Sequence, residues 1–505
     1  MREIYQLLQL INSMNKAEKR HFHLYANMQK GEKGYFQLYE AIEKRDDPEG
    51  IYKSFCRKNG KKAFEPAARY LHHQLLNSLC QVNSKENVQS EIFKLINRSS
   101  VLYGRKMVKE ALNELSKAKD LAKHYEQDIL LLLIRRTELN YISENDFLGL
   151  HEKELVAKQM QINECMKYTR STNMHISLYT TLHFRLNYLG KIRSKEQKDL
   201  MNDLVLSELN LVANHYYKGF EAKKLHLLFQ ASYYLNTGSY KSAIRYYLEL
   251  LNLFDEHDHL KQNPPIYYFT TIEGIINSLM IAGIYEGAPY FIETLKRLEQ
   301  GDYSADFLLK VKLCIFFSQV ELLIKAGKFK EALSEVEAGE ENIYKKVHLF
   351  GLESQLKLYL LTSIVFLYNN KLKDARRFMR KIILEAKLFQ LFPAFRTARL
   401  LNLIINAELN EYDLLENEIR SIKRALRKEK QAYITESLVF RFVLMYPIPK
   451  YEKTRTQLWE KMAKEIERVR ESKYEQNLLN TFDFIAWIEH VLTKQELTKL
   501  INKPT

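Results

Sequence analysis

One short segment has the side-chain composition of a metal site. Asp255, His257, Asp258 and His259 lie within five consecutive residues, and two imidazoles with two carboxylates suit a borderline cation. Neighbouring residues of one loop rarely complete a tetrahedral shell, so a solvated polar loop is the favoured interpretation. We therefore expect no metal ion and no other cofactor.

Catalytic sequence signatures are missing from the chain. It contains no G-x-x-x-x-G-K, G-x-G-x-x-G, G-x-S-x-G or H-E-x-x-H pattern, which are the usual marks of phosphate-binding loops, serine hydrolases and zinc peptidases. The glycines stand singly, whereas a loop that cradles phosphate needs several so that its backbone can approach the anion. The sequence therefore favours a protein that is not an enzyme.

Two basic segments predict a surface that could meet an anionic partner. They lie at corresponding places of successive repeats, and their spacing of three and four residues puts each set on one helix face. Stacked side by side, the two sets would form what we call the basic ridge: Arg376, Arg377, Arg380, Lys381, Arg420, Lys423, Arg424 and Arg427. Such a ridge can follow the phosphates of a nucleic acid or bind an acidic protein. A solvated helix face is the favoured alternative.

A smaller basic group lies near the N-terminus. Its members are Lys53, Arg57, Lys58, Lys61 and Lys62. The net charge of the whole chain is +15, from 77 Lys and Arg against 62 Asp and Glu. Over 505 residues this excess is moderate, so it permits an acidic partner without requiring one.

A small residue recurs slowly through the second half of the chain and shows what must position these groups. An aromatic residue or leucine lies three positions before it, and Gly or Asn lies five positions before it. The positions are Ala243, Ala288, Ala332 and Ala375, followed by Leu415. A regular interval of this length predicts stacked helix pairs, none of which can bury its apolar face alone.

The frame resembles the tetratricopeptide repeat. The best unit is Leu227, Ala231, Tyr234, Gly238, Tyr240, Ala243, Tyr247 and Leu250. In that family the small residues lie where two helices cross closely, and the aromatic residues fill the gaps between neighbouring pairs. The intervals here are 45, 44, 43 and 40 residues, longer than the family repeat of about 34. The whole chain is also similar to an uncharacterised group of bacterial helical-repeat proteins, a likeness that implies no activity.

The resemblance also implies a binding groove. In the family, the first helix of each pair lines a concave groove that takes an extended peptide or a partner helix. Carried over residue by residue, the groove positions are Asn236, Glu273, Asn277, Glu321, Lys325, Lys357 and Tyr368. The Lys/Asn clamp with which some members hold a terminal carboxylate is not reproduced. We expect a non-catalytic scaffold that binds a protein or peptide, and the alternative is a nucleic-acid-associated regulator acting through the basic ridge.

Few helix-breaking residues interrupt the chain, which has 16 Gly and 9 Pro, and no alternating strand pattern is found. The predicted fold is an all-α superhelical solenoid of antiparallel helix pairs with helical caps. Residues 1–85 form the N-terminal capping module and 86–215 irregular helix pairs. Residues 216–430 are the clear repeats and 431–505 the C-terminal cap.

Cysteine usage and hydropathy predict the compartment. Four scattered cysteines without a C-x-x-C pair fit a reducing environment. The first twenty residues read as an amphipathic helix rather than a signal peptide, and no apolar stretch approaches the roughly 18 residues of a membrane span. We expect a cytoplasmic protein without a membrane partner; the sequence gives no indication of its oligomeric state.

Overall fold

The computed structural model describes residues 2–27, 34–44, 47–83, 88–189, 192, 195–213, 219–262, 264–340, 342–428, 433–472, 475 and 478–501. Regular structure in these ranges is helical throughout, with no strand, which confirms the all-α prediction. No helix in these ranges is long and apolar enough to cross a membrane.

The first half of the chain contains eleven described α-helices. They are α1 (Arg2–Ser13), α2 (Lys16–Asn27), α3 (Gly34–Glu43), α4 (Pro48–Asn59), α5 (Lys61–Asn83), α6 (Val88–Gly104), α7 (Val108–His124), α8 (Asp128–Glu144), α9 (Glu152–Leu189), α10 (Lys195–Asp199) and α11 (Asn202–Ala213).

The second half continues in the same way. Its described α-helices are α12 (Phe220–Asn236), α13 (Tyr240–Glu256), α14 (Pro265–Ile281), α15 (Ala288–Glu299), α16 (Ala305–Lys325), α17 (Phe329–Ala338), α18 (Leu352–Tyr368), α19 (Leu372–Leu384), α20 (Ala386–Phe389), α21 (Ala394–Glu408), α22 (Leu415–Lys428), α23 (Ile434–Val443), α24 (Glu452–Glu471), α25 (Phe484–Thr493) and α26 (Leu497–Ile501).

Local sequence fixes several of the helix starts. At α2, Asn15 Oδ1 accepts from the backbone N–H of Glu18, and Glu18 Oε2 accepts from that of Asn15, both at 2.8 Å. This reciprocal capping box satisfies two donors that the first helical turn leaves unpaired. At α4, Asp47 accepts from the backbone N–H groups of Glu49 and Gly50, just before Pro48.

The chain forms two compact units, residues 1–166 and 167–505. In the first unit, α1 to α4 all pack on the long helix α5, around a core that includes Phe22, Leu38 and Leu71. Helices α6, α7 and α8 pack on one another around a separate core. The predicted division into four segments is finer than these two units and stays a prediction.

In the second unit, each helix from α12 to α19 packs on the next one in the chain. We call α12, α14, α16, α18 and α21 the first helices, and α13, α15, α17, α19 and α22 the second helices. Each first helix also packs on the following first helix. The first helices therefore have neighbours from their own repeat and from the repeats on either side.

The recurring Gly or Asn ends the first helices. Gly238, Gly283, Gly327, Asn370 and Asn410 have φ angles of 80°, 73°, 72°, 57° and 61°. This left-handed conformation closes many helices, and Gly and Asn adopt it most easily. The residue found five positions before each repeated small residue is thus a helix terminator.

The repeated alanines lie in the core between the packed helices. Ala243, Ala288, Ala332 and Ala375 are completely buried. In one repeat, the Ser363 hydroxyl on α18 donates to the carbonyl of Ala375 on α19 at 3.1 Å. A side chain of one helix can reach the backbone of the other only at a close approach. This agrees with the close crossings predicted from the sequence.

The C-terminal helices extend the core of the second unit. One hydrophobic cluster has members that range from Leu313 on α16 to Leu500 on α26. The segment around α25 packs on the ends of first helices, because Tyr368 stacks on Phe482 with ring centroids 5.6 Å apart. Asn480 Nδ2 reaches back to the hydroxyl of Tyr240 at 3.3 Å. The C-terminal segment thus contacts residues of several repeats.

Candidate binding surface

Four polar side chains lie among buried residues on three of the first helices. Glu273 and Asn277 are one turn apart on α14, Glu321 lies on α16 and Lys357 on α18. All four are partly exposed, whereas Gly274, Ile275, Ile276 and Ser278 beside the first two are buried. We call these four side chains the polar row; they are four of the seven predicted groove residues.

An ion pair joins two first helices in this row. Lys357 Nζ lies 2.9 Å from Glu321 Oε1, and the side chains are 42% and 28% exposed. The same ammonium lies 4.7 Å from the centroid of the Phe317 ring. Burial acts to lower the pKa of Lys357, but the Glu321 carboxylate outweighs it, and the pKa is raised. Lys357 therefore remains a cation held by α16.

Glu273 has a different environment. Burial raises the pKa of its carboxyl; Lys357 acts against this, and the carboxylates of Glu353 and Glu321 add to it. The Cys314 thiol acts to lower the pKa of Glu273, and burial raises the pKa of the Cys314 thiol itself. The thiol is therefore no nucleophile at neutral pH. The row can make hydrogen bonds and charge contacts, and it lacks an activated nucleophile.

The Asn277 amide has no polar partner among the residues that the structure describes. A primary amide offers two donors and one acceptor oxygen, which match the carbonyl and N–H groups of a peptide backbone. Its helix packs on α13, α15, α12 and α16, so the backbone that carries the amide is held in place before any ligand arrives.

Of the predicted groove residues, Tyr368 contacts the chain's own C-terminal segment and Lys325 feels the charge of Asp483 in that segment. Tyr368 stacks on Phe482 and lies near Trp487, and burial raises its pKa well above the usual value. Burial lowers the pKa of Lys325, while the Asp483 carboxylate acts to raise it. Asp483 also caps α25 by accepting from Ala486 N at 2.8 Å. At Tyr368 the predicted groove is therefore covered from within the molecule.

The remaining predicted groove residue turns back on its own helix. Asn236 Nδ2 donates to the carbonyl of Ser232 at 2.8 Å. Its backbone carbonyl accepts from the N–H of Ile192 at 3.3 Å. Asn236 thus has structural partners that Asn277 lacks, and the polar row is the part of the predicted set with open hydrogen-bonding capacity.

The basic ridge is partly neutralised by acidic neighbours. Arg376 forms an ion pair with Glu411. Arg377 lies 3.5 Å from Asp374, and Arg420 lies 2.9 Å from Glu416. Helices α19 and α22 carry these residues and both pack on α21.

Four of the other ridge residues have exposed side chains. Lys381 lies 5.0 Å from the Phe378 ring centroid and Lys423 lies 5.5 Å from that of Phe440. Arg380 and Arg424 are exposed, with no acidic partner in the described part of the chain. The side chain of Arg427 lies outside the described residues.

The Asp255–His259 segment is organised by a lysine. Lys261 Nζ lies 2.6 Å from Asp255 Oδ1 and 2.9 Å from Asp258 Oδ1. The His257 ring packs against Phe220, with centroids 5.3 Å apart. Within the described ranges, no group of three or more His, Cys, Asp or Glu side chains could hold a metal ion.

One feature was missed in the sequence. A pocket of about 610 Å³ lies between the turn after α18 and the C-terminal helices, and its walls include Phe329, Tyr368, Trp487 and Leu497. The only sequence signal for this pocket is the close spacing of the aromatic residues Phe482, Phe484 and Trp487. It identifies a buried segment, but not the repeats on which that segment packs.

Neither the models of known protein families nor the curated proteins contain a match to this chain.

Proposed function

We propose that the chain is a non-catalytic scaffold whose first helices bind a protein or peptide partner. In this proposal the helix pairs are antiparallel and stack as a tetratricopeptide-like solenoid, with the polar row on its concave side. The partner is a cytoplasmic protein, in keeping with the cysteine usage.

The observation that carries the proposal is the polar row itself. A first helix is packed on several sides, so each polar position on it competes with apolar packing. The row nevertheless keeps the unpartnered amide of Asn277 and the partly exposed Glu273 on α14. Polar groups that are fixed by packing can bind a partner at a low entropic cost.

The spacing of the helices sets the size of the ligand. Packed helices lie about 8–10 Å apart, so α14, α16 and α18 together span roughly 16–20 Å. An extended chain advances about 3.3 Å per residue, so about six residues cross the three helices. Because the C-terminal segment packs on Tyr368 and places the Asp483 charge near Lys325, the ligand would contact mainly Glu273, Asn277, Glu321 and Lys357.

The alternative function is nucleic-acid association through the basic ridge. Arg380 and Arg424 favour it, because they are exposed and lack acidic partners in the described ranges. The ion pairs of Arg376, Arg377 and Arg420 count against it, since a phosphate would have to displace a carboxylate at each. If the ridge binds, Arg380→Glu with Arg424→Glu should abolish binding and flatten its salt dependence.

The proposal is tested by affinity capture from the native cytoplasm, with and without nuclease. The test variant is Glu273→Gln with Asn277→Ala, and the matched control is Glu256→Gln with Asn252→Ala, the same residue types four positions apart on the exposed face of α13. We expect a discrete protein that resists nuclease, is lost from the test variant and is retained by the control. Equal capture by both variants, with helicity intact, would overturn the proposal.

A further inference from the structure

The turn between α4 and α5 carries a concentrated positive charge. Arg57 and Lys58 end α4, Gly60 makes the turn with φ 81°, and Lys61 and Lys62 begin α5. All four basic side chains are exposed. We call these four residues the turn cations. They lie within six consecutive positions that contain no acidic residue.

The turn cations differ from the other basic residues of the same module. Lys53 pairs with Glu49 at 3.4 Å, and Arg69 pairs with Glu65 and Glu3. For the turn cations, no ion pair or hydrogen bond of the side chain occurs within the described part of the chain. Their positive charge is therefore available to a partner, unlike that of the paired arginines on the basic ridge.

Helix electrostatics separates the turn cations into two kinds. Arg57 and Lys58 occupy the last turn of α4, where cations interact favourably with the helix dipole. Lys61 and Lys62 occupy the first turn of α5, which has no acidic residue and where the same dipole disfavours cations. Lys61 and Lys62 therefore act against the stability of α5, so a stabilising role does not explain why lysines occupy these positions.

We propose that the turn cations bind the phosphate backbone of a nucleic acid, independently of the partner of the polar row. Phosphate contacts need cations on an accessible surface and carry no sequence information. The turn provides this access, because a side-chain atom added at Gly60 would meet nothing within 4 Å. Helix α5 is held by α1 to α4, so the lysines project from a fixed support.

The neighbouring apolar residues favour a nucleic acid over a membrane or an acidic protein. Phe55 and Phe64, which flank the turn cations in the chain, are each only 4% exposed and belong to the core of the module. A surface that enters a bilayer needs an apolar face to insert, and protein interfaces centre on buried apolar or aromatic anchors. The turn cations supply neither feature, and the two phenylalanines that flank them are buried.

The test is equilibrium binding of the full chain to a labelled DNA duplex and to an RNA of equal length, measured over a salt series. The test variant is Lys61→Gln with Lys62→Gln. The control is Lys53→Gln with Arg69→Gln, which removes the same charge from cations that already have acidic partners. For duplex DNA, the slope of log affinity against log salt should fall by about 1.8 in the test variant, at about 0.9 per phosphate contact, and by much less in the control.

Folding provides an independent readout. Because Lys61 and Lys62 oppose the dipole of α5, the test variant should melt at the same temperature as the native chain or higher while it loses affinity. Loss of binding through unfolding would show the opposite shift. The Glu273→Gln, Asn277→Ala variant should bind nucleic acid normally, so the two proposals fail separately.

Three results would overturn the proposal. One is no binding to either nucleic acid at about 50 mM salt, where electrostatic contacts are strong. Another is an equal loss of slope in the test and control variants. The third is tighter binding to anionic lipid vesicles or to a polyglutamate peptide than to both nucleic acids, which would assign the turn to a membrane or an acidic protein.

Discussion

The first and second helices of one repeat differ sharply in burial. Helix α18 buries eleven of its 17 residues, whereas α19 buries four of its 13, so only the second helix has a wide solvated face. The difference follows from packing, because α18 lies against α16, α17, α19 and α21. A charge on α19 is therefore ordinary, whereas the partly exposed Lys357 on α18 lies between the buried Leu356 and Leu358.

The largest expected effect comes from replacing a leucine by alanine on each kind of helix. Leu360 on α18 is 2% exposed, and Leu384 at the end of α19 is 76% exposed. Leu360→Ala should lower the free energy of unfolding by about 2–5 kcal/mol through lost burial and a residual cavity. Leu384→Ala should change it by less than about 0.5 kcal/mol. Chemical denaturation measures both, and similar losses would contradict the assigned burial.

The next test enlarges a residue at a helix crossing. Ala332 on α17 is completely buried, and Ala332→Leu should cost about 1–3 kcal/mol of stability because the added atoms force the helices apart. Ala338→Leu, at the exposed end of the same helix, is the control. A neutral result for Ala332→Leu would mean that the crossing has room to spare.

A smaller effect compares ion pairs on the two kinds of helix. A double-mutant cycle of Glu321→Gln and Lys357→Met should give a coupling of about 0.5–1 kcal/mol. The pair is partly exposed, so solvent weakens its attraction but does not remove it. The pair Glu416–Arg420 on α22 is 68% and 66% exposed, and its cycle should give about 0.3 kcal/mol. A larger coupling on α22 would reverse the electrostatic ranking of the two faces.

The smallest expected effect is a pH-dependent gain in stability. Burial raises the pKa of Glu273, so the folded chain holds that proton to a higher pH than the unfolded chain does. Stability is therefore lost as pH rises through the interval between the ordinary and the raised pKa. Glu273→Gln abolishes this loss. Relative to the native chain, the variant should gain stability as pH is raised from about 4 to 8, measured by denaturation at each pH; a constant difference would contradict the raised pKa.

Local periodic signals made much of the fold predictable. The helical class was evident from the scarcity of breakers, and the repeated small residues predicted buried positions such as Ala243 and Ala332. The Gly or Asn five positions earlier was part of the same pattern, and the structure explains it as the left-handed end of each first helix. These features depend on neighbours in sequence, so they leave a regular trace.

Contacts between distant residues were not predictable in the same way. Asn480 hydrogen-bonds to Tyr240, 240 residues earlier in the chain, and no periodic pattern in the sequence predicts such a contact. For the same reason, the repeat pattern that predicts Tyr368 as a groove residue gives no indication that Phe482 stacks on it. The partial neutralisation of the basic ridge was missed likewise, because Arg376 finds Glu411 in the next repeat, 35 residues away.

Photo-crosslinking in the living cell tests the central claim most directly, because it captures whichever molecule lies against a chosen residue. A photoreactive amino acid replaces Asn277 on α14 in one variant and Asn252 on α13 in the other. We expect a discrete crosslinked protein from position 277 and none from position 252. Crosslinks from position 252 alone, or from neither position, would contradict the assignment of the first helices as the binding face.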